Sequence, residues 1–222
     1  MAEDKQTMQL TSINIGQKWT QRIGANLEIT GIYKIPVQGP AQVTLLGIKG
    51  DFIASKKHHG GPDQAVYVYG GADYAWWSQE LDREIGPGTF GDNLTISELE
   101  SAKFNIGDYL HIGEVTLQVT APRIPCATFA ARMGDPQFVR RFRRAERPGL
   151  YCRVTREGTV EAGNDVTVET YPGETMPAMD LFRDYYRRNK KEETLRGFLR
   201  APIAIRARQD VESDLQKLLA QR

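Results

Sequence analysis

Cysteine and histidine are scarce in this sequence, at two and three residues of 222. Two cysteines cannot hold an iron–sulfur cluster, and a disulfide framework is not expected in a chain of this size. Neither H-E-x-x-H nor C-x-x-C occurs, so a zinc site of the usual spacing is excluded too. Long apolar runs are missing, which excludes a membrane-spanning helix. The polar stretch Met1 to Thr11 lacks the apolar segment of a signal peptide. An excess of charge of one sign is missing as well: the formal net charge is +1. Nothing global therefore attracts nucleic acid, and any anion site must come from local clustering. These absences predict a cytoplasmic protein with reduced thiols and neither nucleic acid nor membrane among its partners.

What is present is a core-forming composition, 40% hydrophobic and 26% charged. Residues 1–11 read as a disordered lead-in. From 12 to 170 the pattern is mainly β with helical insertions. Strand-like alternation or β-branched runs fall at Ser12–Gly16, Leu27–Tyr33, Ala65–Tyr69, Tyr109–Ile112, Val115–Thr120, Gly149–Thr155 and Asp165–Glu169. Glycine-rich turns separate them, and His111 to Val115 reads as a tight hairpin. Many short strands in one block predict a β-barrel or sandwich. Helices are predicted over Ala72–Glu84, Ala127–Met133 and Pro136–Arg147. Beyond the turn-rich Tyr171 to Thr175 the chain reads as helical only. Thr175 can cap a helix holding Met179, Phe182 and Tyr186; Lys191–Leu199 and Asp210–Ala220 follow. This 175–222 extension is too small to be stable alone, so it must dock on the barrel or on a partner.

Three stretches carry the chemistry. Cys126 follows Pro122-Arg123-Ile124-Pro125 and precedes a helical pattern. A helix start and a neighbouring arginine favour a thiolate, the form that attacks, carries sulfur or binds a soft metal. The plain alternative is a buried, inert thiol, and Cys152, inside a strand pattern, takes that reading. Lys56-Lys57-His58-His59-Gly60-Gly61 places positive charge beside two glycines, whose backbone N–H groups can approach an anion closely. It matches neither a Walker loop nor a dinucleotide fingerprint. A phosphate cradle and a solvated turn both remain open for it. Asp92-Asn93, between a Gly-Pro-Gly loop and a strand, reads by itself as a turn stabiliser. Arg140, Arg141, Arg143, Arg144 and Arg147 form a basic helix segment, either a solvated face partly paired with Glu146 or an electropositive rim.

Taken together, four motifs in order resemble the MOSC family, domains similar to the C-terminal part of molybdenum-cofactor sulfurases. They are Gly47-Ile48-Lys49-Gly50-Asp51, His59 to Val66, Phe90 to Leu94, and Pro122 to Cys126. The likeness covers roughly residues 20–170, and the helical tail resembles the three-helix extension of the bacterial YiiM-like branch. The resemblance implies a β-barrel and a molybdenum cofactor (molybdopterin). Cys126 is then the metal ligand or sulfur-carrying residue. Arg123 and the loop of Lys57, His59, Gly60 and Gly61 meet the cofactor's phosphate or pterin, and Asn93 hydrogen-bonds in the same pocket. Asp92 departs from the family's glutamate, one methylene shorter.

Three functions are compatible with these residues. One is reduction of N-hydroxylated compounds, such as hydroxylamino purines, with electrons from a separate donor protein, since no flavin, haem or cluster motif is present. Another is a sulfur carrier that accepts a persulfide on Cys126 from a PLP-dependent desulfurase. The last is a non-catalytic cofactor-binding module. Pyridoxal phosphate itself is not expected, because no Schiff-base lysine stands out. The tail could cap the site, make a homodimer or dock a redox partner.

Overall fold

The structure is a computed structural model that describes residues 8–54 and 59–220. The chain runs β1 (Met8–Gly16), β2 (Trp19–Ile23), β3 (Asn26–Thr30), β4 (Lys34–Val37), β5 (Ala41–Thr44), β6 (Gly47–Ile48), β7 (Val66–Gly70), α1 (Gly71–Glu80), β8 (Leu94–Ile96), β9 (Tyr109–Ile112) and β10 (Val115–Pro122). It continues through α2 (Ala127–Met133), α3 (Phe138–Ala145), β11 (Leu150–Arg156), β12 (Gly158–Val160), β13 (Asp165–Glu169), α4 (Ala178–Tyr185), α5 (Glu192–Arg200) and α6 (Ile205–Ala220). The main sheet has the order β13-β9-β10-β11-β7-β8-β1-β4, and β13 pairs back onto β1. That pairing closes a seven-stranded barrel, with β4 appended outside on β1. Closure leaves those seven strands no free edge. Among the described residues only β7 and β8 run parallel; α1 supplies the crossover between them.

Period-two alternation decides which side chains fill the barrel. On β7, Val66 and Val68 join the interior with Leu94, Ile96, Leu110, Ile112, Leu117, Val119 and Cys152. Tyr67 and Tyr69 point the other way, into a second core of aromatic rings under α1, α2 and α3. Phe90 is the hub of that core. Its ring lies 5.0 Å from Tyr69, 5.2 Å from Tyr74, 5.6 Å from Trp77 and 5.3 Å from Phe129. Tyr69 Oη accepts the Trp77 indole N–H and donates to the Arg147 carbonyl, so the buried polar tips are satisfied.

The three C-terminal helices dock on the barrel. Ala178, Leu181, Leu195, Phe198, Ile203 and Val211 belong to the same buried cluster as the barrel interior. The Ala204 N–H donates to the Thr120 carbonyl, and Arg153 reaches the Pro202 carbonyl.

The structure corrects several sequence expectations. Strand begins at Met8, inside the expected lead-in, because Met8 and Gln9 pair with Val166 and Asp165 at the closing seam; residues 1–7 lie outside the described part. Thr175 does not cap α4. Its hydroxyl donates to the Ile106 carbonyl, and Pro177 occupies the cap position. The last helix starts at Ile205 rather than Asp210. Glu146 pairs with Arg183 of α4 and not with the arginines of its own helix. On that helix Arg141 reaches Glu80 and Asp135 and Arg143 lies over the Tyr186 ring, while Arg147, just beyond it, pairs with Asp73 at 2.6 Å.

Candidate active-site pocket

A pocket of about 880 Å³ lies between the barrel and the C-terminal helices. Its wall includes His59, Gly60, Asn93, Arg123 and Cys126, so five of the seven site residues expected from sequence meet at one place. Gly61 does not line it; its carbonyl instead accepts the Gln64 N–H and closes the turn over Pro62–Gln64. Lys57 falls outside the described residues.

Cys126 sits at the N-cap of α2, half-buried, with a side chain that makes no capping hydrogen bond. Its carbonyl accepts the Phe129 and Ala130 N–H groups at 3.1 Å. The thiol is therefore held by backbone while its sulfur stays uncommitted. Of the two cysteines, only Cys126 lines the pocket. Cys152 is inside the barrel, where burial pushes its thiol well above the ordinary range.

Arg123 is 3% exposed, wedged between the Tyr67 ring at 5.0 Å and the Phe129 ring at 4.4 Å. One guanidinium nitrogen donates to the Phe90 carbonyl. Nε is buried with no partner among the described residues. Burial works against the charge, but Tyr151, Tyr67 and Cys126 beside it hold the guanidinium pKa above its ordinary value. A guanidinium has five N–H donors in a rigid fork; this one keeps donors unspent beside the pocket.

The Phe90 to Leu94 motif positions that arginine. Phe90 offers its carbonyl. Gly91 has φ +74°, and an added Cβ would sit 3.0 Å from Ile32 and 3.4 Å from Arg123 Nη1, so only glycine passes between them. Asp92 is fully buried and faces away from the pocket, accepting from Tyr74 Oη at 2.5 Å, Thr95 Oγ1 at 2.7 Å and Asn14 Nδ2 at 3.2 Å. The shorter acid thus makes direct contacts in the core. Asn93 spends its amide on the protein: Oδ1 accepts the Tyr67 N–H at 3.1 Å and Nδ2 donates to Asp51 Oδ2 at 2.9 Å. These bonds make it a brace of the wall it lines.

Sequence reasoning missed much of the surroundings. Lys34, from the appended strand β4, is 8% exposed, lines the pocket and pairs with Asp51. Burial lowers its pKa, against the pull of Asp51. Asp51 is pinned in turn by the Gly16 N–H at 2.7 Å. Tyr151 lies 3.3 Å from His59 Nδ1. Burial raises the Tyr151 phenol pKa, partly countered by Arg123. The helices contribute the remaining wall, with Asp184, Tyr185, Lys190, Arg206, Asp210 and Asp214. The floor thus holds two buried cations, Lys34 and Arg123, for one carboxylate, Asp51, a balance that suits an anionic group.

Comparison with known proteins agrees with this layout. The family model for the MOSC domain matches residues 55–167. The uncharacterized protein YflK of Bacillus subtilis is 34% identical over 152 residues, covering 68% of this chain and 69% of that one. A protein named "Reductase" from Gibberella moniliformis is 31% identical over 167 residues, which are 73% of this chain but 30% of its own. The crystal structure of YiiM from Geobacillus stearothermophilus superposes with a TM-score of 0.78 at 24% identity, covering 94% of this chain and 99% of that one, which establishes a shared fold.

Proposed function

The chain belongs to the MOSC domain family, and from that premise we propose that it is an oxidoreductase holding a molybdenum cofactor in the pocket between barrel and helices. The observation that carries this reading is one arrangement: the uncommitted Cys126 thiol beside a buried arginine with unspent donors. The residues fit the group. A thiolate is a ligand for a soft, sulfur-bound metal. The Arg123 Nε without a partner and the buried Lys34 supply donors and charge for a phosphate. Gly60, with φ +96°, lets backbone approach closely on the same side.

When bound, the cofactor supplies two-electron, oxygen-atom chemistry. The chain's own residues hold and orient. Cys126 ligates the metal; Arg123 and Lys34 fix the anionic tail. Asn93 and Asp51 brace Lys34, and Tyr151 orients the His59 ring. The reaction is reduction of N-hydroxylated substrates such as hydroxylamino purines, with electrons from a separate donor protein. A reductase name on one relative supports the oxidoreductase class.

The test is molybdenum and pterin content of protein made in a host that synthesises the cofactor, wild type beside Cys126→Ala, together with hydroxylaminopurine reduction. Near-stoichiometric metal in wild type, lost in the variant, is the expected result. Wild type free of metal and pterin would turn attention to persulfide transfer on Cys126, read by mass spectrometry after treatment with a desulfurase.

A further inference from the structure

α3 carries an arginine face that folding alone does not call for. Four of its eight residues are arginine. Arg140 stands in the first turn, where the helix dipole disfavours a cation, and Arg140 and Arg144, four apart, repel each other. Arg143 lies over the Tyr186 ring at 4.2 Å, and Glu146 accepts two hydrogen bonds from Arg183. These contacts clamp α3 to the end of α4, where Arg187 and Arg188 follow Tyr186. Arg140, Arg143, Arg144, Arg187 and Arg188 are all exposed, and none forms an ion pair among the described residues. The carboxylates around them are committed elsewhere. Glu80 and Asp135 serve Arg141, Asp73 serves Arg147, Glu146 and Asp180 serve Arg183, and Asp184 serves Lys190. Asp82 and Glu84, exposed past the end of α1, pair with none of the five. The formal net charge of the whole chain is only +1, so without these five arginines it would be negative. Charge is segregated onto one face.

That face adjoins the pocket. Leu181, Asp184 and Tyr185 of α4 line the pocket wall. Tyr185 is 58% exposed, with its ring 5.0 Å from Tyr186, so an open aromatic stands at the edge of the arginines. Arginine and tyrosine are side chains enriched at protein interfaces and among their hot spots. Deeper in, Arg147 lies over Trp76 at 4.9 Å, and the rings of Trp76, Trp77 and Phe90 follow in steps of 5.0 and 5.6 Å. The Phe90 carbonyl accepts from Arg123 at the pocket. Packed rings, not water, therefore join the arginine face to the site.

Resting on the reaction proposed above, we infer that this face docks the electron donor, and that the donor is a small acidic electron-carrier protein. Breaking the N–O bond of an N-hydroxylated substrate takes two electrons and two protons and releases an amine and water. The reduced carrier brings the electrons, one per visit, and leaves oxidised; solvent supplies the protons. Carboxylates on the carrier meet the unpaired arginines. Exposed charges of this kind act mostly on the rate of encounter, which suits a carrier that must leave and return.

The test is calorimetric binding of two small acidic one-electron carriers, a flavodoxin and a plant-type ferredoxin, to full-length protein as purified. Wild type is expected to bind at least one of them at about 0.05 M salt and to weaken about tenfold or more at about 0.3 M. Arg140→Glu combined with Arg144→Glu should weaken low-salt binding by about tenfold or more. Lys49→Glu combined with Arg156→Glu changes net charge equally at exposed positions outside α3 and α4, and should stay within about twofold of wild type. Should the α3 pair fail to fold, Arg187→Glu with Arg188→Glu decides it from the other half of the face, with the same weakening expected. Binding of neither carrier, binding of duplex DNA or phosphatidylserine vesicles in their place, or equal weakening by the face and control pairs would each overturn the inference. Hydroxylaminopurine reduction with dithionite, which needs no docking, separates it from its premise. Protein that binds a carrier through these arginines yet reduces nothing with dithionite ends the proposed reaction alone. Protein active with dithionite whose carrier binding ignores the arginine variants ends the docking face alone.

Discussion

Asp63 Oδ2 accepts the backbone N–H of Ile205 at 2.7 Å, across 142 positions of sequence. The acid of the glycine-rich loop thus caps the last helix, a task usually done by the residue just before a helix. Its Oδ1 meanwhile takes the Arg153 guanidinium of β11 at 3.0 Å, and its carbonyl accepts the Thr120 hydroxyl of β10 at 2.5 Å. One residue therefore ties loop, barrel and helix together, and the helix it starts is one wall of the pocket.

Replacing Asp63 by alanine removes a cap and leaves a half-buried arginine without its carboxylate. The expected cost is about 2–3 kcal/mol of unfolding free energy, read from urea denaturation. Hydrogen exchange should rise first at the start of α6, where the N–H groups lose their acceptor. A loss spread evenly over the barrel would show that Asp63 acts through the turn it sits in and not through the helix.

Arg123→Met separates two jobs that the arginine could hold. Methionine fills similar space between Tyr67 and Phe129, removes a buried charge and leaves the Phe90 carbonyl without its donor. Relief of the charge offsets the lost bond, so stability should stay within about 1–2 kcal/mol of wild type. Bound pterin should be lost. A fall of more than about 3 kcal/mol with pterin retained would mean the guanidinium is there to hold the aromatic core.

Asp92 makes stability depend on pH in an unusual direction. Burial raises its carboxyl pKa above the ordinary range, against the hydrogen bonds from Tyr74 and Thr95. The native state then keeps a proton that the unfolded chain loses from about pH 4 upward. The contribution of this residue is full below that pH and is lost as pH rises toward the native value. Asp92→Asn carries no such proton. Its amide N–H opposes Asn14 Nδ2, a constant penalty of about 1–3 kcal/mol. The stability advantage of wild type over the variant should therefore shrink as pH rises from 4, then level off. Parallel curves from pH 4 to 8 would show that Asp92 is ionised in the folded protein.

The strand pattern and the motif order were enough to read a barrel, and they brought His59, Gly60, Arg123 and Cys126 to one pocket, because each motif is a local turn whose geometry its own residues dictate. Lys34 was not legible. It enters the pocket only because β4 hangs on β1, a pairing between two short segments that local pattern does not encode. The exposed strand β2 likewise lacks the burial alternation that marks a strand, although its hairpin partner β3 falls largely within the expected Leu27–Tyr33. Asn93 was expected to hydrogen-bond within the pocket; it lines the wall and bonds Tyr67 and Asp51 there, contacts that only topology creates. The start of α6 was missed because its cap comes from Asp63, far upstream in the chain.

Cys126→Ser offers the sharpest separation of fold from chemistry. The cysteine holds the N-cap of α2 without using its side chain for capping. Serine is among the best N-cap residues, since its hydroxyl accepts from the second or third N–H of the helix. The variant should thus be as stable as wild type or more so, by up to about 1 kcal/mol. A soft metal gains little from the neutral hydroxyl, so bound molybdenum should fall away while the melting temperature holds or rises. Thermal melts and metal analysis on the same preparations check both halves. A stable variant that retained its full metal content would place the ligand elsewhere in the pocket; an unstable one would show that the thiol packs as well as binds.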